Sequence, residues 1–209
     1  MTLMELGQLE ESILQLRRVE TVIRPLLDET LRDRDPLLWA SAQHTLGSAT
    51  LELGKREDGI LRFEQAEKAF RSAMEEFTPD RAPHWWATAR FGLASSLVEL
   101  GARGRGGQYL AEAEAAFREV AEYYTRVGNR DDTALAMNGV AMALLNKSRH
   151  HETGTESLTL AISTFKATLK LKPSKGAPPF YRQIERNWLE ALYLLRERSG
   201  PGETDGPES

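Results

Sequence analysis

The chain has 209 residues, of which 41% are hydrophobic and 28% are charged, and its formal net charge is −4. This is enough apolar material for a continuous core, and the acidic balance disfavours nucleic acid, whose phosphates attract positively charged proteins. The chain contains no cysteine, which excludes disulfides, thiol catalysis and cysteine-ligated zinc.

The sequence also lacks the signals that direct a protein to a membrane. The opening residues MTLMELGQLEESI do not combine a basic start with an apolar core, as a secretory signal does. No apolar run reaches the roughly 18 residues that a membrane-spanning helix needs. We therefore expect a cytoplasmic protein that does not bind membranes.

The sequence repeats with a period of 47 residues. Pro36 returns as Pro83, and the tripeptide Glu-Leu-Gly that ends at Gly54 ends again at Gly101. Such self-similarity is typical of proteins built by stacking one small structural unit. The sequence therefore predicts an array of repeats.

Each repeat has the apolar spacing of two helices, with hydrophobic side chains every three or four residues. Pro36 and Pro83 suit a first helical turn, and Gly54 and Gly101 suit the left-handed residue that closes a helix. Pro25 indicates a kink in the first helix. The predicted helices lie near 8–33, 36–53, 57–78, 83–100, 107–127, 131–147, 154–171 and 179–198.

Three phenylalanines mark the same point in successive repeats. Phe70 returns as Phe117 and, with one inserted residue, as Phe165. Equivalent positions in a stacked array have equivalent surroundings. We expect all three rings to be buried between helices.

One set of positions resembles a known family. These residues follow the order and most of the spacing of the tetratricopeptide repeat, and they are Leu46, Gly47, Ala49, Gly54, Ala66, Phe70, Ala73 and Pro79. The family's usual repeat has about 34 residues, so this chain is similar to the long-helix variant found in bacterial multidomain proteins.

The resemblance implies an all-α fold, a right-handed α–α superhelix of about eight antiparallel helices. The implied repeats span about 1–35, 36–82, 83–130 and 131–177, followed by a terminal helix at 179–198. Residues 199–209, which contain glycine, proline and acidic residues without large apolar ones, are expected to be a disordered tail.

The resemblance also implies a function, because the family binds proteins or peptides on the concave face that the first helix of each pair lines. The family's lysine, arginine and asparagine clamp for a carboxylate is absent here, so a neutral, basic or partly apolar partner is expected. The alternative for His44, Phe91 and Met142 is that they only pack between helices. Carried over by register, the groove residues are Ser41, His44, Ser48, Glu52, Thr88, Phe91, Ser95, Glu99, Leu135, Asn138, Met142 and Asn146.

No motif predicts enzymatic activity, a cofactor or a metal. His150, His151 and Glu152 are adjacent, without the HExxH spacing that places two histidines on one helical face, and are interpreted as an inter-helix loop. The glycine-rich stretch 101–107 lacks the lysine and hydroxyl residue of a phosphate-binding loop, and it aligns with a turn in the preceding repeat. We expect a binding protein.

The two ends of the chain carry opposite charge. Basic residues gather towards the C-terminal end, and acidic ones mark the first helix. This is either ordinary surface charge, a basis for head-to-tail association, or a basic site for an acidic partner that includes RNA. The residues concerned are Lys166, Lys170, Lys172, Lys175, Arg182 and Arg186, and Glu10, Glu11, Asp28, Glu29 and Asp33.

The first helix also carries a long apolar stripe, which predicts a further contact. Ile13, Leu16, Val19 and Ile23 belong to this stripe, and terminal repeats normally need a polar cap. We expect either a second copy of the chain, forming a homodimer, or an upstream segment of a longer protein to cover it. The resemblance also implies an alternative function, because repeats of this long-helix kind often lie beside an effector: the chain would be a regulatory or sensory segment of a larger bacterial multidomain protein with a protease or NTPase.

Overall fold

The computed structural model describes residues 3–57, 59–150, 155–172, 176 and 178–199. Within these ranges the chain forms nine α-helices and no β-strand, which confirms the predicted all-α class. The helices are α1 (Leu3–Ile23), α2 (Glu29–Arg34), α3 (Pro36–Glu57), α4 (Ile60–Glu76), α5 (Pro83–Leu100), α6 (Gly107–Arg126), α7 (Arg130–His150), α8 (Glu156–Leu169) and α9 (Phe180–Ser199).

The chain forms two compact units, Met1–Arg103 and Gly104–Ser209. In the N-terminal unit α3 packs against α4 and α4 against α5, while α1 and α2 pack on α3. In the C-terminal unit α6 packs against α7, α7 against α8, and α8 against α9. Each helix therefore packs mainly on helices that are close to it in sequence, as expected for repeated helix pairs.

The first predicted helix is two helices in the structure. Pro25 lies in a 3₁₀ turn, Arg24–Leu26, directly after α1. The chain then restarts as α2, where the carboxylate of Asp28 accepts a hydrogen bond from the backbone N–H of Leu31 at 2.7 Å. Because proline cannot donate a backbone hydrogen bond and Asp28 caps a new helix start, the predicted kink is a full interruption.

The predicted role of Gly54 and Gly101 as left-handed helix ends is wrong. α3 continues through Gly54 to Glu57, and Gly101 has helical angles of φ −63° and ψ −43°. A Cβ atom at Gly54 would lie 2.8 Å from the ring of Phe63 on α4. The glycine is therefore explained by the close approach of two helices. Between α5 and α6 the glycines with positive φ are Gly104 and Gly106, at 88° and 106°.

The three equivalent phenylalanines are all buried, as predicted. In the N-terminal unit the ring of Phe70 lies between Gly47 of α3 and Gly92 of α5. In the C-terminal unit the ring of Phe117 lies against Gly139 of α7, which is the repeat counterpart of Gly92. Glycine at these positions lets a helix backbone pack directly on an aromatic ring, so the repeat unit has a reproducible core.

None of the helices in the described ranges combines the length and the apolar character that a membrane-spanning segment requires.

Candidate functional site

The predicted groove residues lie on α3, α5 and α7, and on each helix they share one face because they are three or four residues apart. All of them are partly exposed except Asn146, which is buried and donates a 3.0 Å hydrogen bond to the carbonyl of Met142. On α7 the side-chain oxygen of Asn138 is also buried, and it has no hydrogen-bond partner within the described part of the chain.

Hydroxyl groups on this face direct their protons back to their own helices. Ser48 donates to the carbonyl of His44, Thr88 to that of Trp85, and Ser95 to that of Phe91, at 2.9 to 3.0 Å. Ser41 does the same towards Leu37. Since each hydroxyl has one proton and two acceptor lone pairs, these side chains can accept hydrogen bonds from a ligand.

The two glutamates of the face are neutralised by their own neighbours. Glu52 forms ion pairs with Lys55 and Arg56 at 2.8 and 2.7 Å, and Glu99 pairs with Arg103 one helical turn later. Burial alone raises the pKa of Glu52, but hydrogen bonds from the two bases outweigh it, and the net pKa is lowered. The Glu52 carboxylate is therefore charged at neutral pH. Because both glutamates are paired with bases, little net negative charge remains for a partner.

An aromatic cluster lies at the N-terminal end of this face. The imidazole of His44 on α3 lies edge-on to Phe70 and to Trp85 of α5, with ring centroids 5.6 and 6.2 Å apart. Trp85 also stacks on Phe77, with centroids 5.8 Å apart and an interplanar angle of 22°. Even so, 48% of Trp85 is exposed.

The cluster changes the protonation of His44. Burial lowers the pKa of its imidazole below the ordinary value of 6.5, and a hydrogen bond to the backbone of Thr88 partly opposes this shift. The ring is therefore neutral at physiological pH. The position of His44 fits both of its predicted roles. The ring packs between helices, and it also contacts the exposed indole of Trp85 on the predicted binding face.

Trp85 is the functional candidate that the sequence analysis missed. It lies three residues before Thr88, so it shares the predicted face of α5. Its counterpart in the preceding repeat is Leu38, which is also exposed. The signal was present in the sequence, since a tryptophan at a position that the register assigns to a binding face is a candidate contact residue.

A second surface feature was not predicted. In the C-terminal unit an open groove of about 570 Å³ runs between α6 and α8, with Met137 and Val140 of α7 among its lining residues. The repeat counterparts of these two residues, Gln43 and Leu46, line a smaller groove of about 270 Å³ in the N-terminal unit. Both grooves also have equivalent arginines at their edges, Arg118 and Arg24.

Salt bridges hold α1 on the N-terminal unit. Glu20 is buried, and its carboxylate accepts hydrogen bonds from Thr50 of α3 at 3.1 Å and from Arg62 of α4 at 2.9 Å. Glu57 accepts from Arg17 of α1 at 2.8 Å, and this hydrogen bond lowers the pKa of the Glu57 carboxyl. The predicted dimer residues Ile13, Leu16, Val19 and Ile23 remain partly exposed beside this network.

The basic residues predicted near the C-terminal end lie on the surface. Lys166, Lys170, Arg182 and Arg186 are exposed, and Lys172 pairs with Glu185 at 2.8 Å. Lys175 lies outside the described residues.

The described ranges contain no group of three or more His, Cys, Asp or Glu side chains placed to hold a metal ion. His150 is the last residue of α7, so its interpretation as part of a loop is wrong. His151 and Glu152 lie outside the described residues, and their interpretation as a loop stays a prediction. The absence of enzymatic activity and of a cofactor likewise stays a prediction.

Comparison of the chain with protein-family models, with curated proteins and with solved structures finds no match.

Proposed function

We propose that the chain is a tetratricopeptide-type interaction module that binds a protein or peptide segment on the face formed by α3 and α5. The observation that carries this proposal is the half-exposed indole of Trp85, supported by His44 and Phe77. Tryptophan is among the residues that most often dominate the energy of protein interfaces, because a rigid ring buries a large area at little entropic cost.

The groups around Trp85 describe the chemistry of the partner. The hydroxyls of Ser41, Ser48, Thr88 and Ser95 offer acceptor lone pairs because their protons are already used. Glu52 and Glu99 are paired with bases of their own helices. A segment with one large apolar anchor and flanking donors, such as backbone N–H groups or amide side chains, fits this surface.

The proposal can be tested by selecting ligands in an unbiased way. A library of random peptides displayed on phage is selected on the immobilised chain, and enriched peptides are synthesised and titrated by calorimetry. We expect peptides with an aromatic or large aliphatic anchor, and we expect Trp85→Ala to weaken their binding by about tenfold or more, equivalent to about 1.4 kcal/mol.

The matched control is Leu61→Ala, which removes another exposed apolar side chain of the same unit, on α4. This variant should bind the selected peptides as the wild type does. Failure to enrich any peptide, or equal binding by the wild type and Trp85→Ala, would contradict the proposal. Circular dichroism of both variants establishes that neither change has altered the helical fold.

A further inference from the structure

The last described helix exposes a side that its counterpart in the N-terminal unit buries. By repeat register, with the one-residue insertion before Phe165, α9 corresponds to α3. Tyr181 and Ala191 are buried, like Trp39 and Ala49, which supports this register.

The difference lies on the next stripe of α9. Leu189 and Tyr193 are 57% and 61% exposed, and Arg196 is exposed one turn further along. Their counterparts on α3, listed in the same order, are Gly47, Leu51 and Gly54, and all three are buried. In α3 this stripe lies under α4, because Phe70 contacts Gly47 and Phe63 contacts Gly54.

The first helix, α1, has an apolar stripe that is less buried than its counterpart on α4. By the same register Leu16, Val19 and Ile23 of α1 correspond to Phe63, Ala66 and Phe70 of α4. The three residues of α4 are fully buried, whereas those of α1 are only partly covered. α1 packs on α3. In α4 the equivalent residues Phe63 and Phe70 contact Gly54 and Gly47 of the partner helix α3, so the stripe of α1 is the one that α4 uses to contact its partner.

We propose that the exposed stripe of α9 in one copy of the chain binds the partly covered stripe of α1 in a second copy, head to tail. The resulting pair repeats the packing of α3 with α4. In that register Leu189 lies against Ile23, and Arg196 lies against Leu16. The side-chain volumes compensate across this contact. In α3 and α4 two glycines face two phenylalanines, whereas here the larger Leu189 and Arg196 of α9 face the smaller aliphatic side chains of α1.

Charge favours a second copy as the occupant. Antiparallel packing places Arg196 near the N-terminal half of α1, which carries Glu10 and Glu11, and places Arg182 near the exposed carboxylates of Asp28 and Asp33. Within the described residues neither Arg182 nor Arg196 forms an ion pair of its own. α1 and the turn after it also carry three exposed bases. Arg17 and Arg24 are already paired with Glu57 and Glu20, and Arg18 lies between them in sequence.

This contact is heterologous, because its two faces differ. Each copy can therefore bind two others, and association continues until a ring closes or a filament forms. A dimer made only from two α1 helices would be isologous and would stop at two copies. The two cases make different predictions for variants of α9.

Sedimentation velocity over a range from low to high micromolar concentration tests the proposal. We expect the sedimentation coefficient of the wild type to rise with concentration. Leu189→Lys should remove this rise, because it places a charge against Ile23 in the apolar part of the contact. Leu189 is 57% exposed in the single chain, so the change should not disturb folding. Leu61→Lys, an equally exposed apolar position on α4, should associate as the wild type does.

A mixing experiment identifies the second face. Glu10→Lys combined with Glu11→Lys leaves α9 intact and should weaken self-association by about tenfold or more. Leu189→Lys leaves α1 intact and lacks only the α9 face. Adding an excess of Leu189→Lys to the wild type should end growing assemblies, so that their mean size falls.

Two results would overturn the proposal. One is a wild-type chain that stays monomeric at high micromolar concentration. The other is association that Leu189→Lys leaves unchanged, which would assign the contact to a surface other than α9. Neither result would affect the proposed peptide-binding face, because Trp85 lies on α5, which is neither of the two helices that form this contact.

Discussion

The imidazole of His44 lies edge-on to the indole of Trp85, with ring centroids 6.2 Å apart and an interplanar angle of 75°. This contact joins α3 to α5 within the N-terminal unit and fixes the most exposed aromatic ring of the predicted face. Since burial favours the neutral imidazole, the contact is sensitive to pH.

The first prediction is that acid weakens the N-terminal unit through His44. The pKa of His44 is lower in the folded chain than its ordinary value of 6.5, so the unfolded chain binds the proton more readily. The contribution of this group to stability is complete above pH 6.5 and is lost as pH falls from 6.5 through the folded pKa. Urea unfolding at pH 7.5 and at pH 5 measures the loss.

The control for this prediction is His44→Gln, which cannot be protonated in this range. Its stability should change less between the two pH values than that of the wild type. His84→Gln provides the matched comparison, because His84 also contacts Trp85 but is exposed. Equal pH dependence in the wild type and His44→Gln would show that the imidazole is not the group responsible.

A second prediction concerns Gly92, which packs against Phe70. In an ordinary helix interior, replacing glycine by alanine stabilises by about 0.5 to 1 kcal/mol. At Gly92, however, the new Cβ would lie 2.3 Å from the ring of Phe70, which itself is held by Gly47 on the other side. We expect Gly92→Ala to destabilise the chain by about 1 to 3 kcal/mol in urea unfolding.

The same substitution at Gly59 is the control, because a Cβ atom there would have only an ordinary contact at 3.6 Å. Replacing the ring of Phe70 by a smaller side chain should relieve the clash. Gly92→Ala should therefore destabilise the chain less in a Phe70→Leu background than in the wild type. A stabilised Gly92→Ala variant would show that the two helices can move apart freely.

Much of the fold could be predicted from the sequence, and the reasons are local. The predicted helix at 83–100 coincides with α5, because Pro83 marks its first turn and apolar residues recur at helical spacing up to Leu100. Gly54 was misinterpreted because a glycine required by a neighbouring ring and a glycine required by a left-handed turn look the same in a sequence. Only the position of Phe63 distinguishes them.

The candidate site was less predictable, because exposure is a tertiary property. The register assigned residues to one face of each of three helices. It could not show that Trp85 is half-exposed while Trp39, near the equivalent point of the preceding repeat, is buried under Arg32. The groove lined by Met137 and Val140 also depends on the distance between α6 and α8. The apolar pattern within a helix predicts its buried face but not its distance from another helix.

A third prediction addresses the attachment of α1. Glu20 is buried, and its carboxylate accepts hydrogen bonds from Thr50 and Arg62. Glu20→Gln keeps the shape of the side chain but removes the buried negative charge that pairs with Arg62, so we expect a loss of about 1.5 to 3 kcal/mol in unfolding free energy. Relative to the wild type, Glu20→Gln should speed hydrogen exchange more in α1 than in α4.

Arg17→Ala is the comparison for Glu20→Gln, because the pair between Arg17 and Glu57 lies nearer the surface. Such exposed pairs contribute about 0 to 1 kcal/mol. If Glu20→Gln cost no more than Arg17→Ala, the buried carboxylate would not be what holds α1 on α3 and α4.

The last prediction uses the repeat as an internal standard. Phe70, Phe117 and Phe165 are all buried, so changing each to alanine should cost about 3 to 5 kcal/mol. The cavity left by Phe165→Ala should differ from the other two because it can hold water. The position that is Gly92 and Gly139 in the earlier repeats is the buried Asn187 in the last one, and its amide can form hydrogen bonds with that water. Hydrogen exchange measured by mass spectrometry locates each loss, and in an array it should be greatest in the two helices that contact the missing ring. A Phe165→Ala variant that unfolds no more readily than the wild type would show that the one-residue insertion breaks the register between the third and fourth repeats.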